Sequence, residues 1–284
     1  MIINKDRNRI FLMADIHGQV DGIHAVLDKA QRNGCSFCQD DILIILGDHG
    51  ALYYPNEKGN RRLKKKLNDL PCKVVLLKGN HDGTVRKTYA KKPDAWYTTV
   101  RVEGIDSKVF SAARMFVEKD FPNIYYLDDY FTPITVFGKN GIALGGAYSV
   151  DKYYRLEKGL LWHEDEQPDE ETRTGIMKSI DYILKTYLSK IEIVLSHEAP
   201  ISFVPYEACT IPVEQDSVDN SLSFFYDDIL QKLIAKQPHI DKEWYFGHYH
   251  INKTTYLDSV KGTCIDIGSF VELSSHLGSQ PLSL

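Results

Sequence analysis

Side chains able to ligate metal or move protons fall in five short clusters: Asp15-x-His17, Gly47-Asp48, Gly79-Asn80-His81-Asp82, His197 and Gly247-His248-x-His250. Carboxylate, imidazole and carboxamide donors of this kind suit divalent transition metals, and imidazole also serves as an acid or base near neutral pH. Each cluster follows an apolar run: Ile10 to Ala14, Ile42 to Leu46, Val74 to Leu77, Ile191 to Leu195 and Trp244-Tyr245-Phe246. Short runs rich in β-branched residues and closed by glycine or a polar turn predict strands covered on both faces. Sheets of α/β proteins place their sites at the carboxyl ends of strands, so chemistry is expected at the end of every one of these runs.

Helices must lie between the strands. Val20, Ile23, Leu27 and Ala30 recur at helical spacing with Gly34 as a stop, and His24 falls on that apolar stripe, where a packed structural histidine is expected. Leu63, Leu67 and Leu70 give a second helix an inner face, and the basic run Lys58 to Lys66 reads as its solvated side. Two more amphipathic helices are predicted through Ile176, Ile180, Ile183, Leu184 and Tyr187, and from Leu222 to Leu233. Thr135-Val136-Phe137 and Ile142-Ala143-Leu144 flank Gly138-Lys139-Asn140-Gly141, which predicts a hairpin turning at Asn-Gly. Residues 85–130 show mixed periodicity and are expected to form a covering segment, and the tail alternates as strands do. His49 reads either as a turn residue or as a neighbour of the site.

Gly145-Gly146 after the hairpin leave room for a ligand to approach the backbone. Lys152 and Arg155 beyond them, and Arg86 just past the Asn80-His81-Asp82 turn, are candidates to hold a substrate phosphate.

With 284 residues, 43% hydrophobic and 26% charged, and no linker-like stretch, the chain is expected to fold as a single domain over 1–284. A net charge of -5 argues against a dedicated nucleic-acid coat or a membrane-surface protein. No signal-like N-terminus or long apolar run is present, and the five cysteines are odd in number and thinly spread, so a cytoplasmic setting is expected. Cys35-x-x-Cys38 has no second pair to complete a zinc site and reads as a loop.

Taken in order, the five clusters resemble the signature of the calcineurin-like metallophosphoesterases. The resemblance implies an α/β fold, a four-layer α-β-β-α sandwich of two mixed β-sheets flanked by helices. It also implies two metal ions, manganese or iron by expectation, with zinc, nickel and cobalt as alternatives. Carried over position by position, Asp15, His17 and His250 would hold one ion, Asn80, His197 and His248 the other, and Asp48 would bridge them. Two divalent ions, two carboxylates and neutral ligating imidazoles leave a net charge of about +2, which attracts phosphate and acidifies a shared water.

The implied reaction is in-line attack of a metal-bridging hydroxide on a phosphomonoester or phosphodiester. His81 is then expected to act as general acid or phosphoryl donor, with Asp82 fixing its tautomer. The Asp-Arg-Gly found after Gly-Asp in the phosphoprotein-phosphatase branch is replaced here by His49-Gly50-Ala51-Leu52, which argues against that branch. A small phosphate ester or nucleotide is the expected substrate, with no membrane partner. A nuclease or cyclic-nucleotide phosphodiesterase is the alternative, served by the basic residues. A non-catalytic scaffold is disfavoured because no ligand position is missing.

Overall fold

The computed structural model describes residues 8–32, 36–186, 190–208 and 218–273. Along the chain run β1 (Ile10–Met13), α1 (Val20–Arg32), β2 (Ile42–Leu46), α2 (Glu57–Asn68), β3 (Lys73–Leu77) and α3 (Val85–Lys91). Then come β4 (Trp96–Arg101), β5 (Phe110–Glu118), β6 (Ile124–Leu127), β7 (Thr132–Val136), β8 (Lys139–Leu144) and α4 (Lys152–Glu157). The remainder is α5 (Glu170–Thr186), β9 (Ile193–Ser196), α6 (Ser221–Lys236), β10 (Lys242–Phe246), β11 (Lys253–Leu257), β12 (Val260–Cys264) and β13 (Val271–Leu273).

The alternating side chains of the strands sort into three cores, which define four layers. Ile10, Leu12, Ile42, Ile44, Val75 and Leu77 pack with Ala143, Ile193, Leu195 and Tyr245, so one half of the sheet lies on the other. Phe11, Met13, Leu43, Ile45, Val74 and Leu76 turn the opposite way, onto Val20, Ile23 and Leu27 of α1 and Leu67 of α2. Ile142, Leu144, Val194, Trp244 and Phe246 meet Ile176 and Ile180 of α5 and Tyr226, Ile229 and Leu233 of α6. At roughly 1.5–3 kcal/mol for each fully buried large apolar side chain, this two-sided burial is what holds β1, β2 and β3 in the interior.

Hydrogen bonding joins the halves into one mixed sheet, in the order β11-β12-β10-β9-β8-β7-β5-β6-β3-β2-β1-β13, with β4 on β5. The expected pair of sheets is therefore one curled sheet folded over itself. β5 carries the path across: Phe110–Ala112 pair with β7, and Met115 and Phe116 pair with β6. Residues 85–130 are thus not a covering segment, since β5 and β6 sit mid-sheet and bury Phe110, Met115, Tyr125 and Tyr126. Their mixed periodicity has a cause in this place, because β5 changes partners along its length.

β1, β2 and β3 are parallel neighbours, as are β8, β9 and β10, so their carboxyl ends gather. The hairpin turns earlier than Asn-Gly predicts. Val136 pairs with Lys139, so Phe137 and Gly138 form the two-residue turn, both at positive φ (48° and 75°), as a type I′ turn requires. Asn140 and Gly141 belong to β8 instead, where a Cβ on Gly141 would lie 2.4 Å from the Ile193 side chain. His24 is exposed rather than packed. In the basic run, Lys64 is buried and bonded to Glu118 at 2.6 Å, whereas Arg61 pairs with Asp120 at the surface. Cys38, Cys72 and Cys264 are free thiols, and Cys35 and Tyr187 lie outside the described residues. Among the described residues no helix is long and apolar enough to cross a membrane.

Candidate metal centre

The turns after β1, β2 and β10 hold their polar residues on left-handed backbone. Asp15, His17, Asp48, His248 and His250 all have positive φ, between 44° and 70°. Such backbone costs energy for a residue with a Cβ and persists where the surroundings fix it, commonly at working sites. The glycines before the ligands admit side chains from other strand ends. A Cβ on Gly47 would lie 2.2 Å from His197 Nδ1, and one on Gly79 would lie 2.2 Å from Asp48 Oδ1. This close approach explains Gly-Asp and Gly-Asn as motifs.

The buried carboxylates of Asp15 and Asp48 stand at the middle. Asp15 Oδ2 accepts the His248 backbone N–H at 2.8 Å. Its Oδ1 is buried with no hydrogen-bond partner among the described residues, 3.6 Å from His250 Nε2 and 3.8 Å from His197 Nε2. Asp48 Oδ1 accepts the His81 backbone N–H at 2.9 Å and lies 3.5 Å from His197 Nε2. His17 Nδ1 is 3.7 Å from Asp48 Oδ2, and His17 Nε2 is 3.2 Å from His250 Nε2. Asn80 Oδ1 lies 2.9 Å from His197 Nε2, its amide nitrogen donating to Ser149 Oγ, and the His248 ring is 5.1 Å from that of His197. Of the seven expected ligands, Asp15, His17, Asp48, His197 and His250 share donor groups, Asn80 joins them through His197, and the His248 ring lies beside that of His197 with its Nε2 3.8 Å from Glu198 Oε2.

Electrostatics point to a cation here. Burial opposes charge on His197, yet Asp48 and Asp15 outweigh it and raise its pKa to about 10. Burial likewise opposes ionisation of Asp48, and His197, ahead of His81, holds its carboxyl well below the ordinary range. A proton on His197 thus lies between two buried carboxylates, where a metal ion could take its place. Three sets of donors each fall within 4.8 Å: Asp15 with His17 and His250, His17 with Asp48 and His81, and Asp15 with Asp48 and His197. The unpartnered Asp15 oxygen and this mixed oxygen and imidazole donor set fit divalent ions.

His81 lies over the cluster, Nε2 3.9 Å from Asp48 Oδ2, and burial lowers its pKa. Asp82 does not orient it. Its fully buried carboxylate accepts the backbone N–H groups of Gly79, His49 and Gly50 at 3.0, 3.2 and 2.8 Å, tying two ligand loops together. His49 Nδ1 approaches Asp82 at 3.2 Å but accepts the Ala51 N–H, and burial lowers its pKa, so the ring is neutral and the contact is not an ion pair.

Of the three cations expected to meet substrate, Arg155 alone lines the cavity of about 370 Å³ that holds His17, Asp48 and His81. Asp151 at 2.6 Å, the Leu161 carbonyl at 3.2 Å and the Tyr53 hydroxyl at 3.3 Å fix its guanidinium. Arg86 is bonded through two nitrogens to Asp128, and Lys152 lies 4.3 Å above the Trp162 ring, so neither lines this cavity. Tyr53 and Ser149 escaped sequence reasoning, since a lone hydroxyl in a loop carries no spacing signal.

A family model described as calcineurin-like phosphoesterase matches residues 8–252. A component of the nuclease SbcCD from Staphylococcus epidermidis is 25% identical over 100 residues, 33% of this chain and 27% of that protein, so the match spans about a quarter of that relative. One solved structure shares the fold at TM-score 0.53 and 14% identity over 97% of this chain and 99% of its own. Phosphopantetheinyl hydrolase from Mycobacterium tuberculosis follows at 0.46 and 13% (92% and 90%), and 5'-nucleotidase from Candida albicans at 0.45 and 13% (94% and 48%).

Proposed function

The chain belongs to the calcineurin-like phosphoesterase family, metal-dependent hydrolases of phosphate esters, and on that premise we propose that it works through a two-metal centre, within one domain, on small phosphomonoesters or phosphodiesters. Asp15, His17 and His250 would hold one ion, Asn80, His197 and His248 the other, and Asp48 both. The observation that carries this reading is the pair of buried carboxylates, Asp15 and Asp48, meeting across His197 with one Asp15 oxygen unpartnered.

When bound, such ions supply Lewis-acid charge to phosphoryl oxygens and lower the pKa of coordinated water. The protein's share is placement. Leu46 fixes the His197 tautomer and Ser149 the Asn80 amide, so Nε2 and Oδ1 face the centre. Arg155, held by Asp151 and Tyr53, would orient the phosphoryl group by a charge-assisted bond. His81 Nε2, beside Asp48, would deliver a proton to the leaving oxygen. Manganese or iron suits the donor set, with zinc, nickel or cobalt able to substitute, and the three free thiols suit a reducing cytoplasm.

A nuclease is the second reading, favoured by the likeness to the SbcCD nuclease component. The test is turnover of an aryl phosphomonoester, its bis-aryl diester and single-stranded DNA by metal-stripped protein refilled with manganese, with Asp48→Asn alongside. Turnover restored by metal and absent from Asp48→Asn supports the proposal, and the preferred ester selects between the readings. Equal turnover by the two proteins would sink the two-metal centre.

A further inference from the structure

The ligand cluster borders two cavities of different character. One holds Arg155 beside His17, Asp48 and His81. The other, about 340 Å³, is bounded by His248 and His250 and walled by Tyr148, Val150, Val204, Tyr206 and Tyr249. No lysine or arginine is among the described residues that line it; its charged groups are Glu198 and Asp219.

Both carboxylates are fixed in place. Glu198 is buried, with Oε1 accepting the Ala199 N–H at 2.9 Å and the Tyr249 hydroxyl, and Oε2 3.8 Å from His248 Nε2. Asp219 accepts the Ser221 N–H at 2.9 Å and the Gln167 amide at 3.2 Å. The ions that His248 and His250 would hold lie at one edge of this space, and Arg173 acts on Asp219 from outside the lining. Away from that edge a second anion would face the Glu198 and Asp219 carboxylates with no arginine or lysine among the described lining residues. The tyrosine rings in the lining favour the opposite, since aromatic rings stack on flat groups and attract cations. The volume falls near the lower end of the roughly 300–1,000 Å³ common for ligand pockets, enough for one or two rings.

Resting on the hydrolase reading, we propose that this cavity receives the organic substituent of the phosphate ester and selects a flat aromatic group that is uncharged or cationic. The phosphoryl group then lies on the Arg155 side of the cluster and the ring beyond His248 and His250, so that a substituent bearing a carboxylate or a second phosphate is excluded.

Non-hydrolysable phosphonates separate binding from leaving-group reactivity. Calorimetry on the manganese-loaded protein would compare inorganic phosphate with methylphosphonate, benzylphosphonate, 4-carboxybenzylphosphonate and 4-(trimethylammoniomethyl)benzylphosphonate. Benzylphosphonate should bind at least about 10-fold more tightly than methylphosphonate, the carboxylate analogue at least about 10-fold more weakly than benzylphosphonate, and the cationic analogue as tightly as benzylphosphonate or better, each tenfold step being about 1.4 kcal/mol. Val204→Lys should reverse the order of the two charged analogues, with Val218→Lys as a second variant and thermal melts to show that each folds. Four organic phosphonates bound within about twofold of one another, or a lysine variant that leaves the order unchanged, would overturn the proposal while phosphate binding kept the hydrolase reading. Failure of phosphate and every phosphonate to bind would remove that reading, and this one with it.

Discussion

The Nδ1–H of His197 donates to the Leu46 carbonyl at 2.6 Å, which leaves Nε2 facing Asn80 Oδ1 at 2.9 Å and the Asp15 and Asp48 carboxylates. A carbonyl can only accept, so this bond fixes which nitrogen is left to face the centre. Asp48 and Asp15 raise the His197 pKa to about 10, so that nitrogen favours a proton in the metal-free protein, in the place an ion would take.

The pH dependence of the metal-free protein follows from that proton. The His197 pKa is raised to about 10, so its stabilising contribution is complete below about pH 6.5 and is lost as pH rises through about 10. The lowered Asp48 pKa acts at the other end, its contribution present above the ordinary carboxylate range and lost as pH falls below it. Chelator-treated protein should melt several degrees lower near pH 10 than near pH 7, and His197→Gln should flatten the alkaline fall. A melting temperature in chelator that does not change between those pH values would contradict the proton's placement.

Asp48→Asn should lower turnover at least about 100-fold, since changing even a partner of a metal ligand costs roughly 10–100-fold. Metal content by atomic emission should fall in parallel. Full turnover with reduced metal would show that Asp48 does not serve the reaction.

His81→Ala and Asp82→Ala should fail in different ways. Among the described residues the His81 ring bonds no backbone group of another loop, so its loss should keep metals and stability while lowering turnover of esters with poor leaving groups by roughly 10²–10⁴-fold. Asp82→Ala strands three backbone N–H groups, each costing about 1–3 kcal/mol when buried and unsatisfied, so it should appear first as a lower denaturant midpoint. A stable Asp82→Ala protein with an altered pH–rate profile would instead restore Asp82 as the orienter of His81.

Gly79→Ala places a methyl group 2.2 Å from Asp48 Oδ1 and 2.3 Å from its backbone nitrogen. The loops must separate, at about 1–3 kcal/mol by the usual cost of overpacking. Urea unfolding should show that loss, and manganese titration should show weaker binding. Native affinity in the variant would mean that the close approach is not needed.

Arg155→Ala should lower kcat/KM by about 10–150-fold, the equivalent of a charge-assisted hydrogen bond worth about 1.5–3 kcal/mol. Arg86→Ala should leave kcat/KM close to wild type, because its guanidinium is engaged by Asp128. Steady-state kinetics on one ester would decide both, and equal effects would refute the assignment of the phosphate clamp to Arg155.

What could be read from the sequence is what neighbours along the chain encode. Apolar runs such as Ile42 to Leu46 name their own strands, and a glycine followed by Asp48 or Asn80 marks a strand end with a donor on it, because chain direction and backbone freedom are local properties. The residue types at those ends determined the metal chemistry. Partner choice was decided only by the tertiary structure, because it depends on contacts between distant segments: Asp15 with the His248 N–H across 233 positions, and His197 with Leu46 across 151. For the same reason the sequence placed Asp82 on His81, its neighbour, whereas the fold gives it to His49 and Gly50. Arg86 and Arg155 are alike as residue types, and only packing sends one to Asp128 and the other to the site.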